Sequence, residues 1–283
     1  MFTFFKDMPT YPFLINAMVA VVLVSIAAGL TGSLVVVRRS TYFAGAVSHS
    51  LLAGLGLARL LQRRYGIEGL SPMGGAMLVA VAVALLLAQL SARNKQRFDT
   101  VLSAIWTGGM ALGVSLVAAT PGYQDDLMSY LFGSILLVTS ADILWMLGLN
   151  FIILLVMVLC YNRFLAIAFN AELTRLRGVN IRLYETIYYL LTALTVVLLV
   201  RVTGIVLAVA LLTLPAATAG FMTRRLDRMM AVAVIIGTGV SVIGLWVSYT
   251  PSWPPGATIV EVAILVYLVS SLWHKLKTKG ANS

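Results

Sequence analysis

Residues 13–61 read FLINAMVAVVLVSIAAGLTGSLVVV, then RRST, then YFAGAVSHSLLAGLGLARLL. The first run holds no charged residue, and at 1.5 Å per residue it is roughly 37 Å long as a helix, enough to cross a ~30 Å hydrocarbon layer. A paired arginine turn follows, and a second apolar run begins at once. The same alternation fills the rest of the chain: of 283 residues 60% are apolar and 11% charged, and the mean hydropathy is +0.98. A soluble domain carries about a quarter charged residues, and a membrane barrel would alternate apolar and polar residues in runs of about ten. Both classes are excluded. The expected fold is an all-α integral membrane protein, a polytopic bundle of about eight or nine transmembrane helices, with residues 1–283 as a single domain.

Nine spans are expected, at about 13–37, 42–61, 72–90, 100–119, 143–161, 184–200, 204–222, 230–249 and 257–273. An odd number puts the termini on opposite sides. With the C-terminus inside, 15 of the 20 Lys and Arg residues fall in inner segments, and Lys6, Arg59, Arg63, Arg64 and Arg201 stay outside. The positive-inside rule therefore predicts N-out, C-in. Scattered in short loops, the surplus of basic residues reports orientation and gives no reason to expect nucleic-acid binding. The single cysteine, Cys160, rules out disulfides within the chain. The N-terminus, with Lys6, Asp7, Pro9 and Pro12, lacks the basic and short apolar regions of a cleaved signal, so the first span is expected to be retained.

Two connecting segments differ from the others. The stretch 121–142, PGYQDDLMSYLFGSILLVTSAD, has no Lys or Arg and carries Asp125, Asp126 and Asp142. Its apolar run is too short to cross, so a half-inserted or surface helix on the outside is expected, with Asp126 and Asp125 on a cation-attracting rim. The stretch 162–185, NRFLAIAFNAELTRLRGVNIRLYE, places Leu173, Leu176 and Val179 at helical spacing beside Glu172 and Arg175, and Gly178 breaks the pattern. A short amphipathic helix and a turn are expected, either lying on lipid headgroups or docking a soluble partner.

Ionisable side chains inside spans are costly and mark function by default. His49 lies about eight residues into the second span, roughly 12 Å from the inner boundary. Gly45 and Ala53 share its face. A neutral imidazole offers one nitrogen to a divalent metal, and the alternative is a histidine hydrogen-bonded between helices beside Ser48 and Ser50. Glu261, roughly 8 Å below the outer end of the last span, is a second station or else a partner of Arg201. Asn150 and Gln89 read as interhelical hydrogen-bond partners. Pro215 is expected to kink its helix, with Thr213 and Thr218 re-satisfying the freed carbonyls.

No GxxxxGK[ST] phosphate loop, HExxH or GxSxG occurs in the sequence. Transport without an internal motor is the reading that survives. An ion-coupled secondary transporter or channel is one form of it, although such a protein needs buried carboxylates for coupling ions and only Glu261 qualifies.

Several stretches, in order, resemble the permease subunits of ABC importers for zinc and manganese, especially the zinc-uptake type. These are GLTGSLVVVRRSTYFAGAVSHSLLAG, DLMSYLFGSILLVT, AELTRLRGVNIRLYE, GIVLAVALLTLPAATA and PPGATIV, which fall within residues 13–273. The resemblance implies a multi-pass permease of the inner (cytoplasmic) membrane with no cofactor of its own. It implies a homodimer working with two copies of a separate ATPase subunit that binds ATP and magnesium, and a soluble metal-binding protein delivering Zn²⁺ or Mn²⁺. It further implies that the coupling segment, about 165–182 and centred on Ala171 to Gly178, docks on the ATPase through Glu172, Arg175 and Gly178. His49, Glu261 and Asp126 are implied as metal-pathway residues and Pro215 as a hinge. Many members of that family carry an aspartate four residues before the histidine, and this chain has Gly45 there. A related permease for an iron chelate is the neighbouring alternative.

Overall fold

The computed structural model describes residues 9, 11–67, 69–91, 98–120, 130–133 and 135–280, and every described element is helical. Nine α-helices and one 3-10 turn follow in order: α1 Pro12–Val37, α2 Thr41–Tyr65, α3 Pro72–Ser91, α4 Phe98–Ala118, the turn Ile135–Leu137, α5 Ser140–Phe169, α6 Ala171–Leu176, α7 Ile181–Met222, α8 Leu226–Tyr249 and α9 Pro255–Gly280. All but α6 are long and apolar enough to cross a membrane, eight in all among the described residues. Local chemistry sets their ends. Proline opens α1, α3 and α9, where its missing N–H costs no helical bond. Gly66 closes α2 in the left-handed conformation, and Thr139 with Asp142 forms a capping box on α5. Asn170 and Asn180 accept the free N–H groups at the starts of α6 and α7.

The expected spans 184–200 and 204–222 lie inside one 42-residue element, α7, whose single non-helical residue is Gly204, with φ 81° and ψ 170°. The element folds back there. Thr195 hydrogen-bonds Thr31 on α1 at 3.0 Å, while a Cβ on the neighbouring Gly32 would lie 2.0 Å from the carbonyl of Leu212. A straight helix would hold Thr195 and Leu212 about 25 Å apart, so only a reversal brings both to one point on α1. Among the eight membrane-length helices of the described residues, α7 thus consists of two halves that run back on each other. The sharp break falls at Gly204; backbone angles at Pro215 stay helical. Thr213 and Thr218 bond the carbonyls of Val209 and Leu214, not the Leu211 carbonyl that the proline frees.

Two other boundaries differ from expectation. The fifth span does not stop at 161: α5 continues to Phe169, because the apolar LAIAF run offers no breaker before Asn170. Of the expected segment 165–182, residues 165–169 therefore belong to α5, and the separate short helix is α6, Ala171–Leu176.

α1, α2 and both halves of α7 form the buried centre, and α3, α4, α5, α8 and α9 surround it with apolar side chains facing outward. Small residues set the close approaches, as lipid-facing helices require. A Cβ at Gly54 would meet Gly75 O at 2.3 Å, one at Gly109 the Ser50 backbone at 2.6 Å, and one at Gly244 the Ile259 backbone at 2.5 Å.

The two ends of the bundle are distinct. At one, Arg38 pairs with Glu185 at 3.2 Å and covers the Tyr188 ring at 4.2 Å, beside α6 and the ends of α3 and α4. At the other, Arg201 holds Asp142, and residues 130–133 and 135–138 lie against Gly204, Gly256 and α1. The Arg38–Arg39 turn and α6 lie at the same end of the bundle.

Candidate functional site

His49 sits at mid-helix on α2, between α4 and the fold-back of α7. Ser48 donates to the carbonyl of Ile205, immediately after Gly204, at 2.7 Å, which ties α2 to the break. Ser50 donates to Val47 O in its own helix. Neither serine serves the imidazole, so the expected hydrogen-bonded histidine is not what forms at Nδ1. That nitrogen is buried and has no hydrogen-bond partner. An unsatisfied buried polar atom costs about 1–3 kcal/mol, a cost retained where the group has another use.

The imidazole stacks on Trp106 of α4, with ring centroids 4.5 Å apart and planes 17° from parallel. Gly45, one turn earlier on α2, makes this possible: a Cβ there would lie 2.2 Å from Cζ3 and 2.6 Å from Cη2 of the indole. The ring occupies the place of a residue-45 side chain. Tyr42 closes the next turn, 5.5 Å from Trp106 by ring centroids and bonded to Ser103 at 2.6 Å. Spacing along α2 alone gives no hint of Trp106, which belongs to another helix; the only signal is an aromatic residue two positions before Gly108–Gly109.

The other candidates do not join His49. Glu261 is exposed on α9. It does not pair with Arg201, whose guanidinium makes a two-point contact with Asp142, Nε to Oδ1 at 3.2 Å and Nη2 to Oδ2 at 2.7 Å. Asp125 and Asp126 lie outside the described residues. Asn150 donates to Met146 O within its own helix and leaves Oδ1 buried without a partner, so it bridges no helices. Among the described residues no three His, Cys, Asp or Glu side chains converge as a metal cage.

At the far end, Thr174 is the buried residue of α6 and donates to Ala166 O and Asn170 O, which fastens the short helix to the end of α5. Its apolar residues turn outward: Leu176 and the preceding Phe169 are each 85% exposed, and Leu173 is 49% exposed. Glu172 and Arg175 line a cavity of about 620 Å³ with Asp99, Arg182, Glu185 and Tyr189. Gly178, at φ 78°, turns the chain back toward α7. The Arg38–Glu185 pair and Tyr188, which connect this end to the base of α2, were not expected from the sequence, since their positions on α1 and α7 become neighbours only through the fold.

Comparison with known proteins places this arrangement. A family model described as the ABC 3 transport family matches residues 10–274. An uncharacterized membrane protein of Synechocystis is 37% identical over 94% of this chain and 92% of its own length. The manganese transport system membrane protein MntC of Halalkalibacterium halodurans is 30% identical over 94% and 89%. The solved structure of PsaBC from Streptococcus pneumoniae in complex with Fab superposes with a TM-score of 0.84 at 28% identity, over 95% of this chain and 94% of that one.

Proposed function

The chain belongs to the ABC 3 transport family, and from that premise we propose that it is the membrane permease of an ATP-driven importer for a divalent transition metal. What carries the reading is the full-length likeness to membrane proteins named for manganese transport. In this reading two copies form the path, a soluble metal-binding protein delivers the ion outside, and two copies of a separate ATPase supply the energy. The outward apolar face of α6, with Glu172, Arg175 and the Gly178 turn, is the docking surface, and the 15-to-5 distribution of basic residues orients that end toward the cytoplasm. Rocking of the bundle between two states would expose the path to one side at a time.

His49 is the ligand station within the span, Glu261 and Asp126 are outer stations, and Pro215 contributes to the moving segment. A single imidazole gives modest affinity, which transport needs because the ion must also leave. Zinc leads by donor chemistry: an imidazole without a carboxylate at position 45 suits Zn²⁺ better than Mn²⁺, which favours oxygen ligands. The relatives' names favour manganese as the second reading.

Uptake of radiolabelled zinc and manganese at limiting metal, with the membrane content of the chain measured by immunoblot, tests the assignment. His49→Ala is expected to cut uptake several-fold with insertion intact, and undiminished uptake removes His49 from the path. Metal flux through the isolated chain in liposomes, without ATPase or nucleotide, would instead favour an ion-coupled transporter.

A further inference from the structure

We infer that the Arg38–Glu185 pair, with Tyr188 and Ser40, is the linkage that carries movement of α6 to α2, which makes Arg38 and Glu185 positioning residues for the helix of His49. The inference rests on the reading of the chain as a permease whose α6 is pushed by an ATPase, and three observations carry it. First, the base of α7 and the start of α2 are joined side chain to side chain. Arg38 donates to Glu185 at 3.2 Å, and its guanidinium lies 4.2 Å from the centroid of the Tyr188 ring. The hydroxyls of Tyr188 and Ser40 share a hydrogen bond, and three residues further on Phe43 packs against Tyr189 with ring centroids 4.5 Å apart. The side chains of Arg38 and Glu185 are only 16% and 21% exposed, so loss of either one strands a shielded charge.

Second, the turn that aims these groups is held against its own preference. The amides of Arg39 and Ser40 donate to the carbonyls of Val36 and Val35, which closes α1 in the doubly bonded terminal turn whose left-handed position usually holds glycine. Here that position is Arg39, at φ 53°. A residue with a Cβ persists in such a conformation where its surroundings determine it. Both of its neighbours in the chain, Arg38 and Ser40, are bonded to side chains of α7.

Third, the linkage begins where α6 ends and finishes beside the histidine. Gly178 follows α6, and Asn180 caps α7 by accepting from the amide of Leu183, so Glu185 and Tyr188 stand within the first turns of α7. A tilt at that cap moves them directly. The cavity of about 620 Å³ lined by Glu172, Arg175 and Glu185 leaves α6 room to move on that side. At the other end α2 runs unbroken from Thr41 to Tyr65, and His49 is nine residues past Ser40, about 13 Å along the helix axis. This helix is tied to the base of α7 at Ser40 and to its fold-back at Ser48, through the bond to Ile205 O, and His49 is the next residue.

The tagged chain, purified with the ATPase and metal-binding subunits that accompany it, gives the test: the ratio of ATP hydrolysis with added zinc or manganese chloride to hydrolysis without. Arg38→Gln and Glu185→Gln are each expected to lower that ratio about fivefold or more, with the basal rate and the amount of retained ATPase as in the unaltered complex. The double variant is expected to fall no further than either single one, because both remove the same interaction, and Arg38→Lys, which keeps the charge, is expected to recover part of the loss. Ser40→Ala removes only the hydroxyl bond to Tyr188; it is expected to lower the ratio about threefold, and it stands in where a charge variant does not reach the membrane. Ratios within about twofold of the unaltered complex in every variant that assembles, or losses that add in the double variant, would overturn the linkage while leaving the permease reading in place. An unaltered chain that brings no ATPase with it would instead remove the permease reading, and the linkage with it.

Discussion

Two glycines with positive φ sit at opposite ends of the bundle. Gly204 has φ 81° and Gly178 has φ 78°. Around Gly204 a Cβ would meet Leu131 O at 2.3 Å and Gly133 N at 2.4 Å; around Gly178 it would meet nothing within 4 Å. The first turn is locked where three segments cross, and the second is free on the surface beside exposed Leu173 and Leu176. A positive φ serves two purposes. The locked end fixes where α7 reverses and so places Ile205 O against Ser48, next to His49. The open end leaves α6 available to whatever pushes on it.

The largest expected effect comes from breaking the locked end. Gly204→Ala adds a methyl against backbone atoms and forces a residue with a Cβ into dihedrals that are essentially glycine-only, at ψ 170°. A loss of more than about 4 kcal/mol is expected, the range reached when a clash and backbone strain combine. Size-exclusion of the solubilised chain should show aggregate in place of a monodisperse peak. A normal peak with an unchanged thermal midpoint would mean that the crossing is looser than its geometry states.

A gentler perturbation of the same end is Asp142→Asn. The amide can still accept from Thr139 and keep the capping box, but the two-point ion pair with Arg201 loses its charge. Both side chains are about three-quarters shielded, at 25% and 28% exposure, so the pair is worth more than a solvated one. A loss of about 1–2 kcal/mol is expected, read as a lower thermal midpoint of the solubilised chain, and an unchanged midpoint would show that the pair adds nothing to the lock.

Span positions were legible because a run of apolar residues and the thickness of a bilayer are commensurate, and Gly178 was legible because it interrupts a helical repeat. The short amphipathic helix was legible near Ala171 to Gly178, whereas the preceding residues 165–169 continue α5, since hydropathy does not tell where a helix that has left the apolar run ends. Gly204 read as an ordinary boundary between spans. Nothing in RVTGIV reveals that the turn is made by one residue, or that Gly133 and Gly256 arrive beside it. His49 was found because an ionisable group stands out in an apolar run, whereas Trp106 and the Asp142 partner of Arg201 were hidden because helix register against helix is not written in the spacing of either one. A missing side chain at Gly45 looked like a lost ligand. In the fold it is filled space.

The smallest expected effect on stability is at the open end, and it separates the two turns most cleanly. Gly178→Ala meets no atom, so its cost is only that of holding alanine in the left-handed region, about 1 kcal/mol. Asparagine tolerates that region far better, and Gly178→Asn should be nearly neutral. If the turn's role is to set the angle of α6 for docking, metal-stimulated ATPase activity of the assembled transporter should fall in the alanine variant and recover in the asparagine variant, while both chains stay monodisperse. Stability and coupling would then part company at Gly178, where they cannot at Gly204. Equal ATPase rates in the alanine, asparagine and unaltered chains would show that α6 docks without help from its turn, and the contrast between the ends would reduce to packing alone.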